Sequence, residues 1–176
     1  MKIINDNLKK AGYFNIALIV IAIVLRLIII NTVPTIVKID SIICIAALIF
    51  GLFYALSGYK KDGAKYYKAF ICLYFVSSIV SLITSILAPT SESINIYILF
   101  INIVVIVLLF ILAFVKDVGI SKSTNISLLI LLVNIIKMFY TNKLTYQGGF
   151  ANLILACILC VFVSAKYRDK ESRGTK

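Results

Sequence analysis

The sequence predicts an all-α, polytopic membrane protein, a bundle of six transmembrane helices joined by short loops. Of its 176 residues, 62% are hydrophobic and the mean hydropathy is +1.07, which is more apolar than a soluble domain of this size requires. Apolar runs of about eighteen or more residues recur along the whole chain, as transmembrane helices require. These runs are continuous and do not alternate with polar residues, which excludes a membrane β-barrel.

Six spans follow one another along the chain, separated by loops of about ten residues or fewer. They cover roughly residues 13–31, 36–58, 66–88, 94–115, 120–140 and 147–165. The first resembles a signal peptide in its basic start, but its apolar run is too long and the following "INTVPT" lacks a small-x-small cleavage pattern. We therefore predict a single six-helix transmembrane domain over residues 1–165 and a basic cytoplasmic tail over residues 166–176.

The positions of the charges predict the orientation of this bundle. The net charge is +11, and fourteen of the eighteen basic residues fall on one side of a six-span arrangement. By the positive-inside rule both termini are cytoplasmic, and that face is expected to attract anionic lipids. Nucleic acid is not an expected partner, because the basic residues form no structured module. The richness in Ile, Lys and Asn suggests a bacterial cell membrane.

Two stripes of small residues predict where helices approach closely. In the second span Ala47, Gly51 and Ala55 recur every four residues. In the third, Ser77, Ser81 and Ser85 do the same. Small residues at this spacing let helices pack tightly in lipid, where no hydrophobic effect drives association.

Charged residues inside the spans mark the candidate site. The first two spans form a hairpin that turns near Val33, which brings Arg26 and Asp40 to similar depth and predicts that they pair. Asn134 and Lys137 share a face of the fifth span. Ionisable groups inside a bilayer cost about 2.5–3.5 kcal/mol or more, so they are candidates for function.

The hypothesis is an outward-facing polar pocket for an anionic or zwitterionic molecule. Its expected ligand-binding residues come from five helices: Arg26, Asp40, Asn102, Asn134, Lys137 and Asn152. Lys137 is expected to have no acidic partner inside the membrane. An alternative remains open: Arg26 and Lys137 can extend to the surface along their aliphatic stems, with Asp40 only clamping the first hairpin.

The sequence does not favour an enzyme. It contains no histidine, and Asp40 is the single acidic residue within the predicted spans, so we predict no catalytic residues, metal ligands or cofactors. Cys157 and Cys160 form a CxxC motif, which is explained more simply by packing on one helix face than by redox chemistry.

Two functional classes remain. The first is a solute-binding or transport component. In architecture alone, six spans with short loops and an outer pocket resemble the substrate-binding subunits of energy-coupling-factor vitamin importers, although the alanine-spaced face of their first span is absent here, where Ala17 and Ala22 are five apart. That resemblance implies another membrane subunit and an ATPase module as partners. The second class is a non-catalytic interaction protein, either an accessory subunit of a membrane complex or an immunity-type protein.

Overall fold

The computed structural model describes the backbone of residues 2–31, 35–59, 61–87, 96–115, 118–140 and 149–174. Side chains within these ranges are described from residue 12 onward, except at 29, 35–37, 61, 120, 140, 149–151 and 167–174. The described chain is helical and contains no strand: α1 Lys2–Ile30, α2 Thr35–Leu56, α3 Ala64–Leu87, α4 Ile96–Phe114, α5 Ile120–Tyr140 and α6 Gly149–Gly174, with a 3₁₀ turn at Lys61–Gly63. The all-α prediction is confirmed over these ranges.

Within the described residues, four helices are long and apolar enough to cross a membrane. They contain the segments Lys38–Leu56, Ala64–Leu87, Ile96–Phe114 and Ser121–Phe139. In α1 and α6 the described apolar stretches, Gly12–Ile28 and Asn152–Lys166, are shorter. Two helices also run beyond their predicted spans, because α1 starts at Lys2 and α6 continues through the basic tail to Gly174. The structure thus supports four membrane-crossing helices by length and composition.

The helix α2 ends in a turn whose backbone conformation terminates the helix. Gly58 and Tyr59 both adopt the left-handed conformation, with φ of 65° and 61°. The amide of Gly58 donates to the Ala55 carbonyl at 3.0 Å, and that of Tyr59 to the Tyr54 carbonyl at 3.3 Å. This is a Schellman cap, and it folds the Tyr59 ring back onto Tyr54, with centroids 5.3 Å apart. The helix therefore ends two residues before the predicted boundary at 58.

The helices form a closed ring in chain order. Each helix packs against the next in sequence, and α6 closes the ring by packing against α1. At one end of the bundle, five rings form an aromatic cluster. They come from α2, the turn that follows it, α3 and α6: Tyr54, Tyr59, Tyr67, Phe70 and Phe162. The other end contains the connections from α1 to α2, from α3 to α4 and from α5 to α6. Polar side chains cluster near this end.

Candidate functional site

The polar side chains lie close to the helix ends on the side away from the basic loops. Lys137 is three residues before the end of α5 and Asn152 three residues after the start of α6, which is about one helical turn, or 5 Å. Ser81 and Asn102 are six residues from the ends of α3 and α4, or about 9 Å. These side chains therefore lie within about two helical turns of one end of the bundle.

An ion pair joins the first two helices. The guanidinium Nη1 of Arg26 lies 3.4 Å from Oδ2 of Asp40, as the hairpin spacing predicted. Arg26 is 2% exposed, and it shares a buried face of α1 with Asn15, Ile19 and Ala22. Its Nη2 donates to Oδ1 of Asn152 at 3.0 Å, which ties α6 to the same guanidinium. Arg26 therefore points into the bundle and does not extend to the surface, contrary to the alternative interpretation.

The second oxygen of Asp40 is held by α3. Ser77 donates its hydroxyl to Oδ1 of Asp40 at 2.5 Å, and the Ser77 oxygen lies 2.9 Å from the Cys44 sulfur. Charge-assisted O–H···O⁻ bonds of this kind are short and strong. We call Arg26, Asp40, Cys44, Ser77 and Asn152 the polar network. It connects α1, α2, α3 and α6 through both oxygens of one carboxylate.

Lys137 belongs to a neighbouring group of side chains. Its Nζ donates to Oδ1 of Asn102, 2.6 Å away on α4. Because an ammonium has no acceptor, this contact fixes the amide orientation and turns Nδ2 of Asn102 elsewhere. In the part of the chain that the structure describes, this Nδ2 has no hydrogen-bond partner, although Asn102 is 93% buried, with 7% of its surface exposed.

A small cavity of about 20 Å³ lies beside Asn102 and Lys137. Apart from Val105 its lining is polar. From α3 it is lined by Tyr74, Ser77, Ser78 and Ser81. From the other helices it is lined by Asn102, Asn134, Lys137 and Asn152. We call this cavity, with its lining side chains, the donor pocket.

The donor pocket contains a second buried hydrogen-bond donor, the hydroxyl of Tyr74. Tyr74 is 2% exposed, and its hydroxyl has no hydrogen-bond acceptor among the residues that the structure describes, although the Asn134 amide interacts with its oxygen. The neighbouring Asn134 uses its Nδ2 on the Ile130 carbonyl of its own helix, at 2.8 Å. Buried polar groups are normally hydrogen-bonded, so two orphan donors at one cavity call for an explanation.

The structure divides the six predicted ligand-binding residues into two groups. Arg26 and Asp40 form the polar network with Asn152 and do not line the donor pocket, whereas Asn102, Asn134 and Lys137 do. Asn152 belongs to both groups. Lys137 has an amide oxygen as its contact in the bundle.

Sequence reasoning did not assign Tyr74, Ser78 or Cys44 to the site. A signal for Tyr74 was available, since it precedes Ser77 and Ser81 by three and seven residues and so shares their helix face. Ser77 and Ser81 were assigned to helix packing alone, yet both line the donor pocket. Ser85, the third serine of that stripe, donates to the Ser81 carbonyl of its own helix at 2.8 Å.

The small residues of α2 face the interior of the chain. Ala47, Gly51 and Ala55 are all buried. A Cβ placed on Gly51 would lie 3.2 Å from the rings of Phe162 and Phe70. This stripe is therefore covered by the protein's own α3 and α6 side chains, and no outside partner can occupy the same surface.

All four cysteines are free thiols. Cys160 of the CxxC motif contacts the Ser127 carbonyl of α5 at 3.3 Å, which is a packing contact between helices. Among the described side chains, no three of His, Cys, Asp or Glu cluster in a way that could hold a metal ion.

Comparisons with known proteins found no match to this chain among family models, curated proteins or solved structures.

Proposed function

We propose that this chain is a non-catalytic integral membrane protein that binds an anionic or zwitterionic small solute, as a solute-binding or transport component. The observation that carries the proposal is the composition of the donor pocket. One cavity is lined by the Lys137 ammonium and by two donors that have no acceptor among the described residues, Nδ2 of Asn102 and the hydroxyl of Tyr74. Each of these groups can donate a hydrogen bond, and an anion accepts them.

The neighbouring charges favour the same ligand class. Arg26 and Asp40 are in contact, so their formal charges cancel. Both oxygens of Asp40 are already engaged, by Arg26 and Ser77, which leaves the carboxylate poorly placed to hold a cation. Lys137 adds a positive charge next to the cavity, and in a low-dielectric surrounding such a charge acts strongly on an anion.

We further propose that all six helices cross a cell membrane, with both termini in the cytoplasm and the donor pocket near the outer surface. The fourteen basic residues on the side of the termini support this orientation. The closed ring in which α6 packs against α1 supports six spans, because it makes α1 and α6 neighbours of the four long apolar helices. Reporter fusions ending in the loops at 31–35, 87–96 and 140–149 test it. A reporter that is active in the cytoplasm when fused at any of these three loops would refute the orientation.

ATP-driven transport would need a partner, since the sequence holds no phosphate-binding loop. We therefore propose another membrane subunit as the partner, together with anionic lipids at the basic face.

The test is native mass spectrometry of the full chain, extracted from its own cells in a mild detergent. We expect a retained anionic or zwitterionic small molecule in the wild type and its loss in Lys137→Met. Lys38→Met is the matched control, because it removes the same charge from a part-exposed position on α2 outside the cavity. No retained molecule in the wild type, or equal retention in Lys137→Met, would refute the proposal. A retained protein in place of a small molecule would favour the interaction protein instead.

A further inference from the structure

The size of the donor pocket narrows the ligand class. A cavity needs about 10–15 Å³ to hold one water molecule, and this one measures about 20 Å³. Sites for drug-sized organic molecules are about 300–1,000 Å³. In this conformation the pocket therefore has room for a single particle slightly larger than water.

The chemistry of the lining indicates whether the bound particle is a cation or an anion. Among the side chains that line the donor pocket, two donors have no partner in the described part of the chain: Nδ2 of Asn102 and the hydroxyl of Tyr74, each on a side chain more than nine-tenths buried. They come from adjacent helices, α4 and α3, and flank a lining that also includes the Lys137 side chain. A cation would meet the Lys137 ammonium and the free amide hydrogens of Asn102, which both repel it. A compact anion would accept hydrogen bonds from both orphan donors.

We propose that the donor pocket binds one monovalent inorganic anion of halide size, held by Lys137, Asn102 and Tyr74. This inference rests on the proposed function and specifies its ligand class. The serine hydroxyls of Ser77, Ser78 and Ser81 line the same cavity from α3. Ser77 and Ser78 already donate, to Asp40 and to the Tyr74 carbonyl, so the two orphan donors and the ammonium provide the principal contacts.

The polar network holds this pocket in place. Asn152 lines the cavity and accepts from Arg26, and Ser77 lines the cavity and donates to Asp40. Both walls are thus fixed by the ion pair of Arg26 and Asp40. Preorganised donors of this kind bind a small ion without paying to reorder the site.

The test uses the purified full chain in detergent, washed free of halide in sodium gluconate. Chloride and bromide are titrated at constant ionic strength, and thermal unfolding is followed by circular dichroism, since the chain has no tryptophan. Ligand binding to the folded state raises the melting temperature saturably. We expect saturable stabilisation by both halides, about tenfold weaker apparent affinity in Tyr74→Phe, and no saturable response in Lys137→Met.

Two matched controls accompany these variants. Tyr66→Phe removes a hydroxyl from the same helix at a position outside the cavity, and Lys38→Met removes a charge outside it; both should respond as the wild type does. Crystals soaked in bromide should show anomalous scattering beside Asn102. If Lys137→Met does not fold, Tyr74→Phe alone still reports on the site.

The outcomes separate this inference from the proposed function. No halide-specific stabilisation in the wild type, or stabilisation unchanged in Tyr74→Phe, would overturn the halide site and leave the cavity to a bound water. If glutamate or glycine stabilises the wild type through Lys137 while halides do not, this inference fails and the proposed function stands. If neither halide nor organic solute acts through Lys137, both fail.

Discussion

The two ends of the bundle bury their side chains in opposite ways. At one end, the aromatic cluster packs ring against ring, with Phe162 lying 5.0 Å from both Tyr54 and Phe70 by centroid distance. There is no spare space there, since even one Cβ on Gly51 would lie 3.2 Å from two rings. At the other end, polar side chains surround a cavity of about 20 Å³, and two donors in its lining have no partner among the described residues.

This difference places the close-packed contacts at one end of the bundle and the proposed ligand site at the other. Close-packed rings gain dispersion and burial and tolerate little change. Buried donors without a partner cost free energy unless a bound particle accepts from them, which is why we propose a ligand at the polar end. The aromatic cluster accordingly holds α2, α3 and α6 together, and the polar end is where we propose that a ligand binds.

Asp40→Ala should be the most destabilising single change at the polar end. It leaves the Arg26 guanidinium buried without its carboxylate, and breaking a buried ion pair in this way costs about 3–5 kcal/mol. The measurement is thermal unfolding in detergent by circular dichroism. The double variant Arg26→Met/Asp40→Leu should recover most of the loss, because it removes both charges. A double variant no more stable than the single one would contradict the role given to the pair.

Ser77→Ala tests whether the carboxylate depends on α3. The lost hydrogen bond to Asp40 is charge-assisted, so we expect a loss of about 1.5–3 kcal/mol. The adjacent Ser78→Ala is the matched control, because the Ser78 hydroxyl donates to the Tyr74 carbonyl of its own helix at 3.0 Å. Equal effects of the two substitutions would show that Ser77 contributes no more than an ordinary helix serine.

Gly51→Leu tests the close packing of the aromatic cluster. The added side chain must displace Phe162 or Phe70, and overpacking of this kind costs about 1–3 kcal/mol. Gly119→Ala is the control, since a Cβ there meets no atom within 4 Å, and we expect a change within about 0.5 kcal/mol. In the halide titration, folded Gly51→Leu should keep the wild-type affinity. A weakened halide response would mean that the two ends are coupled.

Tyr59→Phe should have the smallest effect, and that effect should depend on pH. Burial raises the pKa of Tyr59, and the hydrogen bond from Asn15 partly lowers it. The folded protein thus keeps this proton at a pH where the unfolded chain has released it, above about 10. The stabilisation is fully present below pH 10 and is lost as the pH rises through the folded pKa. We expect the free energy of unfolding of the wild type to exceed that of Tyr59→Phe by about 0.5 kcal/mol at neutral pH. This difference should shrink above pH 10. A pH-independent difference would contradict this assignment.

Much of the local structure followed from the sequence because it depends on neighbours along the chain. The positions of α2 to α5 followed from continuous apolar runs, whereas α1 and α6 run beyond their predicted spans. The pairing of Arg26 with Asp40 followed from their equal distance to the hairpin turn. That contact joins residues only fourteen positions apart. The exact end of α2 did not follow, because a left-handed Tyr59 is uncommon for a residue with a side chain.

What the tertiary structure decided is which distant residues meet. Asn152 reaches Arg26 across 126 positions, Ser77 reaches Asp40 across 37 and Lys137 reaches Asn102 across 35. The helical period predicts which face of a helix a residue lies on. It does not predict which other helix packs against that face, because this depends on how the six helices are arranged in the ring. The sequence therefore determined the all-α class, the charged hairpin and the polar faces. The closing of α6 on α1 and the packing between helices decided that these faces enclose a cavity of about 20 Å³.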